Sequence, residues 1–262
     1  MNEKLKQSVE KELKSVKKEE KKLRKKALKN KSEALAKIES KIPEKVRTSL
    51  QKAFAKAFNL IFKHGISIVE RFYDKEEIQD NYEIHDTAID KNGTRRELRR
   101  LKRNTRKKDF LNMSFATVEG VGLGVLGIGI PDIIIFIGVI FKGIYEISAQ
   151  YGFDYTLPEE KYLILSMIKA SLSDSPEWER NNMIVDTMLA SEIKINDDIL
   201  KNEVEKASNV IATDMLILKF IQGLPIVGVV GGVFNPIYYN KIMNYVRLKY
   251  HKRYLLDKLK TI

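Results

Sequence analysis

GVGLGVLGIGIPDIIIFIGVIF, Gly120 to Phe141, carries one charge, Asp132, in a chain that is 31% charged as a whole. A second stretch of the same kind, FIQGLPIVGVVGGVFNPIYYN from Phe220 to Asn240, carries none. Each approaches the length of a bilayer span, about 20 helical residues. Prolines decide against simple spans. Pro131, Pro225 and Pro236 cut both stretches into pieces of about ten residues, and Asp132 falls where a span would be driest. The stretches therefore read as paired helical hairpins, either buried as core or entering one leaflet as re-entrant segments.

Outward from these stretches the pattern is helical. Pro43 opens a helix expected over Glu44 to Phe72, with Val46, Leu50, Phe54, Ala57, Phe58, Ile61, Ile68 and Phe72 at helical spacing. Asp74 to Gly93 is acidic, shows no clear period and ends in an Asn-Gly turn signal, so it reads as a connection with at most one short helix. Arg95 begins another helix. Asp132 to Tyr151 is expected to be helical and to stop at Gly152. Thr156 to Glu159 has the spacing of a reciprocal cap, Asp174 to Glu177 repeats that logic, and Asn196 and its neighbours open a helix reaching Ile221. A last helix follows Pro236 to Leu259. No alternating strand pattern occurs, so the fold class is all-α: a helical bundle with two glycine-rich apolar hairpins packed together and a basic N-terminal helix.

The first 40 residues are rich in Lys and Glu, with Val9, Val16 and Leu23 recurring every seven residues on a thin stripe. This segment reads as a solvated basic helix or weak coiled coil, partly disordered, in front of a helical domain over 41–262. The net charge of +12 is concentrated in two places, Met1 to Glu33 and Arg95 to Lys108. Such asymmetry calls for an anionic partner: phospholipid headgroups, nucleic acid or an acidic protein. Arg95, Arg96, Arg99, Arg100, Lys102, Arg103, Arg106, Lys107 and Lys108 form the candidate anionic-surface site. A polybasic helix leading into a long apolar segment is what the cytoplasmic face of a bilayer favours. The block has no interleaved aromatics for base stacking, which places nucleic acid behind lipid.

Small residues at Gly120, Gly124, Gly127, Gly228 and Gly232 are the candidate helix-packing positions, because glycines let two backbones approach closely. Gly122 to Gly127 also satisfies G-x-G-x-x-G, but without the strand before it and the long helix after it that a dinucleotide site requires. Asp132 has two readings: an N-cap after Pro131, or a member of a buried carboxylate cluster with Glu119 or Glu146 capable of acid–base work. The chain has no cysteine and three scattered histidines, His64, His85 and His251, whose polar neighbours suit surface positions. G-x-S-x-G, H-E-x-x-H, P-loop and EF-hand motifs are all missing from the sequence. No cofactor and no metal are expected. The start lacks the apolar region of a secretory signal, and Asn2 stands where myristoylation needs glycine, so a cytoplasmic location at or partly in the inner membrane is expected.

KIPEKVRTSLQKAFAKAF, GLGVLGIGIPD, FKGIYEISAQYGFD, PEEKYLILSMIKASLS and the Phe220 to Leu256 segment, in that order, resemble the EcsC protein family from Lys41 to Leu256. The matching positions are Gly127, Gly129, Asp132, Glu146, Tyr151, Gly152, Pro225, Gly228, Gly231 and Asn235. The chain departs from many relatives at Ile133, where they carry a second proline. The family is named for its association with a bacterial ABC-type exporter system. The resemblance thus implies a shared packing scheme and a membrane context, and supplies no catalytic residues.

Overall fold

A computed structural model describes residues 2–29, 39–65, 74–105, 131–191, 193–221 and 236–262. Among them there is no strand. The helices are α1 (Asn2–Lys29), α2 (Glu44–Leu60), α3 (Lys75–Asn92), α4 (Arg95–Asn104), α5 (Pro131–Gln150), α6 (Pro158–Leu172), α7 (Glu177–Ala190), α8 (Asp197–Ile221) and α9 (Pro236–Thr261). The all-α bundle expected from the sequence is what forms. The two glycine-rich hairpins fall mostly on 106–130 and 222–235, outside the described residues.

The centre of the bundle is built from helices with little amphipathic contrast. In α6 every residue from Leu163 to Leu172 is buried, including Ser166 and Lys169. A helix that is apolar nearly all round belongs inside. α6 is covered by α7, α8 and α9, and α5 is covered by α2, α3 and α9. Phe58 and Phe141 meet edge to face at 5.7 Å across the α2–α5 seam, and Tyr145 stacks on Tyr155 at 4.3 Å. Each fully buried ring of this kind contributes roughly 1.5–3 kcal/mol.

Several local expectations are corrected. Glu44 opens α2 as read, but the α-helix ends at Leu60 and widens into a π turn, Ile61–Gly65, and 66–72 lie outside the described residues. The acidic connection after Asp74 is an 18-residue helix, α3. Asp74 caps it by accepting from the Glu77 N–H at 2.9 Å, and Gly93 stops it with φ 59°. Its inward stripe is only Ile78, Tyr82, His85 and Ile89, too thin to announce a helix. The reciprocal cap expected at Thr156 does not form, because the Thr156 amide and hydroxyl both donate to Asp154 (2.9 and 2.7 Å). Leu157 occupies the cap of α6, and Pro176 that of α7, neither with a side-chain cap bond. Asn196 does cap α8, accepting from Ile199 N–H at 2.9 Å.

α5 ends as the sequence predicts. Phe153 N–H donates to Ser148 O and Gly152 N–H to Ala149 O, both at 3.0 Å, the paired pattern of a left-handed helix stop. Gly152 has φ +75°, and a Cβ there would lie 2.5 Å from Cζ of Tyr82. Gly152→Ala is therefore expected to cost about 2–4 kcal/mol, from backbone strain and overpacking together. Gly138→Ala is the contrast, since among the described residues its Cβ would meet only Ile61 Cδ1 at 3.9 Å. That change should be neutral or stabilise by up to about 1 kcal/mol. Urea denaturation of the two variants checks the pair.

Candidate functional site

α4 is held by its apolar edge. Thr94 accepts from the Glu97 N–H at the helix start, and Leu98 and Leu101 are buried. α1 lies beside it and also turns an apolar edge inward, with Leu5, Val9, Val16 and Ala27 buried. The same edge carries acids. Glu12, only 2% exposed, accepts from Arg95 Nε at 2.7 Å and Arg99 Nε at 3.3 Å. Glu19 accepts from Lys102 Nζ at 2.6 Å. Glu12 to Arg95 and Glu19 to Lys102 share a separation of 83 residues, so α1 and α4 run parallel and in register.

Turning those carboxylates inward leaves the opposite face of α1 to lysine. Lys4, Lys11, Lys18 and Lys25 are all exposed and recur every seven residues, which places them in one row. Lys14 and Lys21 are exposed beside that row, while Glu3 and Glu10 are the exposed acids of the helix. On α4, Arg96, Arg99, Arg100 and Arg103 are exposed. Of the basic residues singled out from sequence, Arg95 and Lys102 are thus spent on holding α1, Arg99 shares the Glu12 carboxylate while staying exposed, and Arg106, Lys107 and Lys108 lie outside the described residues. The lysine face of α1 was not among them. Its signal was present: Glu12 and Glu19 follow Val9 and Val16 by three residues, which puts acids in the apolar seam and lysines opposite.

Behind this surface α1 is anchored to α7 and α9 by buried charge. Lys249, fully buried, donates to Glu20 at 2.5 Å and Asp186 at 2.7 Å, and Lys252 donates to the same two carboxylates at 2.9 and 3.0 Å. The Lys249 ammonium also sits 5.3 Å from the centre of the Tyr245 ring. Burial alone would raise the pKa of Asp186; Lys249 and Lys252 outweigh it and hold the carboxyl below its ordinary range. His251 and His85 are buried, against the expectation of solvated histidines, and only His64 is exposed. Burial lowers the pKa of both. His251 Nε2 is 3.7 Å from Glu12 Oε1, and among the described residues neither ring nitrogen has a hydrogen-bond partner.

Burial also pushes Glu12 upward, but His251 and the short Arg95 contact prevail and bring its pKa from 4.5 down to about 2. A depressed carboxyl stabilises the fold above its unfolded pKa and loses that contribution as pH falls through the folded value. The window here is from 4.5 down to about 2. Glu12→Gln should therefore unfold about 3 kcal/mol more easily than wild type at pH 6 and nearly equally at pH 2. Chemical denaturation across that range reads the convergence.

The other sequence candidates are not brought together. Glu146 is buried and accepts from Lys142 at 2.9 Å within α5. Asp132 is in the first turn of α5 with its side chain outside the described residues, as are Glu119, Gly120, Gly124, Gly127, Gly228 and Gly232. Among the described residues no group of three or more His, Asp or Glu side chains is placed to hold a metal ion. No described helix is long and apolar enough to cross a membrane. Compared with known proteins, the chain matches the family model of the EcsC protein family over residues 7–255. No curated protein and no solved structure matches it.

Proposed function

Since the chain belongs to the EcsC protein family, with a match that starts inside α1, we propose that it is a non-enzymatic bacterial protein that docks on an anionic membrane surface. The docking face is the lysine row of α1 with the exposed arginines of α4. Its setting is the cytoplasmic side of the inner membrane, beside a membrane protein partner of the ABC-exporter kind. The observation that carries this reading is the sorting of charge on α1: its inward carboxylates are neutralised, and its outward row is basic. Near an anionic bilayer each such residue contributes about 1 kcal/mol, so a handful suffice for reversible binding. The outward residues of α1 and α4 include no aromatic on which a base could stack, which favours a lipid surface over nucleic acid. Hydrolysis by Asp132 with Glu119 or Glu146 has less support, because Glu146 is already engaged by Lys142.

Vesicle flotation tests the proposal. The protein should float with phosphatidylglycerol vesicles at low salt, stay at the bottom with pure phosphatidylcholine, and be released by raised salt. Failure to float with anionic vesicles, or a salt-sensitive gel shift with duplex DNA in the absence of flotation, overturns it.

A further inference from the structure

A cleft of about 510 Å³ opens between the start of α6, the end of α7 and the last turns of α9. Its volume lies within the range of small-ligand sites, about 300–1,000 Å³. It stands apart from the α1–α4 face. The floor is apolar: Leu163 and Leu189 are buried and Met188 packs beside them. The rim is apolar as well. Leu157 is 51% exposed and Ile193 37% exposed, and both line this cleft, although most large apolar side chains among the described residues are buried.

The polar lining is balanced in sign. Arg253 is fixed in place: its Nη1 donates to Glu160 at 2.6 Å, its guanidinium lies 4.0 Å from the centre of the Phe153 ring, and Glu160 is itself held by the Tyr250 hydroxyl. The Glu160 contact uses one of the guanidinium's three nitrogens, in a group with five donors. Lys260 is paired with Asp257 at 2.9 Å. Among the described residues that leaves Lys194, exposed, and Glu159, half-buried, as lining charges of opposite sign. A purely anionic ligand would face Glu159, and a purely cationic one would face Lys194 and Arg253. An apolar floor and rim, with two basic groups on one side and a carboxylate on the other, match a molecule of the same construction.

We propose that this cleft binds a single-chain zwitterionic amphiphile, with its chain on Leu163, Met188 and Leu189, its phosphate toward Arg253 and Lys194, and its ammonium toward Glu159. A lysophospholipid with an ethanolamine headgroup has these features. The proposal does not depend on the α1 face, and a soluble monomeric ligand tests the two separately.

The test is calorimetric titration of the full chain with 14-carbon lysophosphatidylethanolamine, kept below its aggregation threshold, against lysophosphatidylglycerol and a neutral maltoside of equal chain length. The zwitterion should bind at least tenfold tighter than either. Lys194→Glu or Glu159→Lys should each weaken it about tenfold. Met188→Trp should abolish binding by filling the floor. Absence of binding, equal affinity for the three amphiphiles, or single variants indistinguishable from wild type overturns the assignment. Reversal of the α1 lysines should leave this titration unchanged even where it abolishes flotation.

Discussion

Glu203→Ala is expected to destabilise the fold by about 3–5 kcal/mol, because it leaves a buried ammonium without its counter-charge. Glu203 on α8 is 1% exposed and accepts from Lys169 on α6 at 2.5 Å, with the Ser166 hydroxyl donating to the same oxygen at 3.1 Å. Lys169 is 6% exposed, so water cannot replace the lost partner without opening the α6–α8 contact. The pair itself adds little net stability, since two desolvation costs nearly offset the attraction. The double variant Lys169→Met with Glu203→Leu should therefore recover most of the loss. Urea midpoints of the two single variants and the double close the cycle. A Glu203→Ala protein as stable as wild type would mean that water reaches Lys169.

Reversing Lys11, Lys18 and Lys25 to Glu should weaken binding to phosphatidylglycerol vesicles by a hundredfold or more, taking about 1 kcal/mol for each basic residue at the surface. All three are exposed in one row and none takes part in the inward ion pairs, so the fold should be unaffected. Lys91, Lys201 and Lys206, exposed on α3 and α8, supply the control. Reversing those three changes the net charge equally but leaves the α1 row intact. If both triple variants lose binding to the same degree, attraction is a property of the whole chain and the row has no special part in it.

The bundle was readable because prolines and caps punctuate long helical periods, and because α5 and α6 are apolar enough to be interior whatever their partners. Three things were hidden for physical reasons. α3 buries so few apolar residues that its stripe does not rise above its acidic background. α1 buries Glu12 and partly buries Glu20, and a period count that scores carboxylates as solvent-facing reads such a helix as solvated. α9 shows the same masking more strongly: Lys249 and His251 are fully buried, Lys249 neutralised by Glu20 of α1 and Asp186 of α7, which lie far away in sequence. The candidate surface was half legible, since the basic block of α4 was visible and the lysine row of α1 was not. Separating them needed the knowledge of which charges α1 turns inward.

The clasp between Glu20 and Lys249 joins residues 229 positions apart. A ribosome adding about 5–20 residues per second needs on the order of ten to fifty seconds to travel that distance. α1 meets its parallel neighbour α4 early, across 83 residues, but can be locked only when the last helix emerges. Until Lys249 is made, neither Glu20 of α1 nor Asp186 of α7 has that ammonium to neutralise it. The fastening of α1 to α9 thus has to wait until α7 and α8 have been made as well.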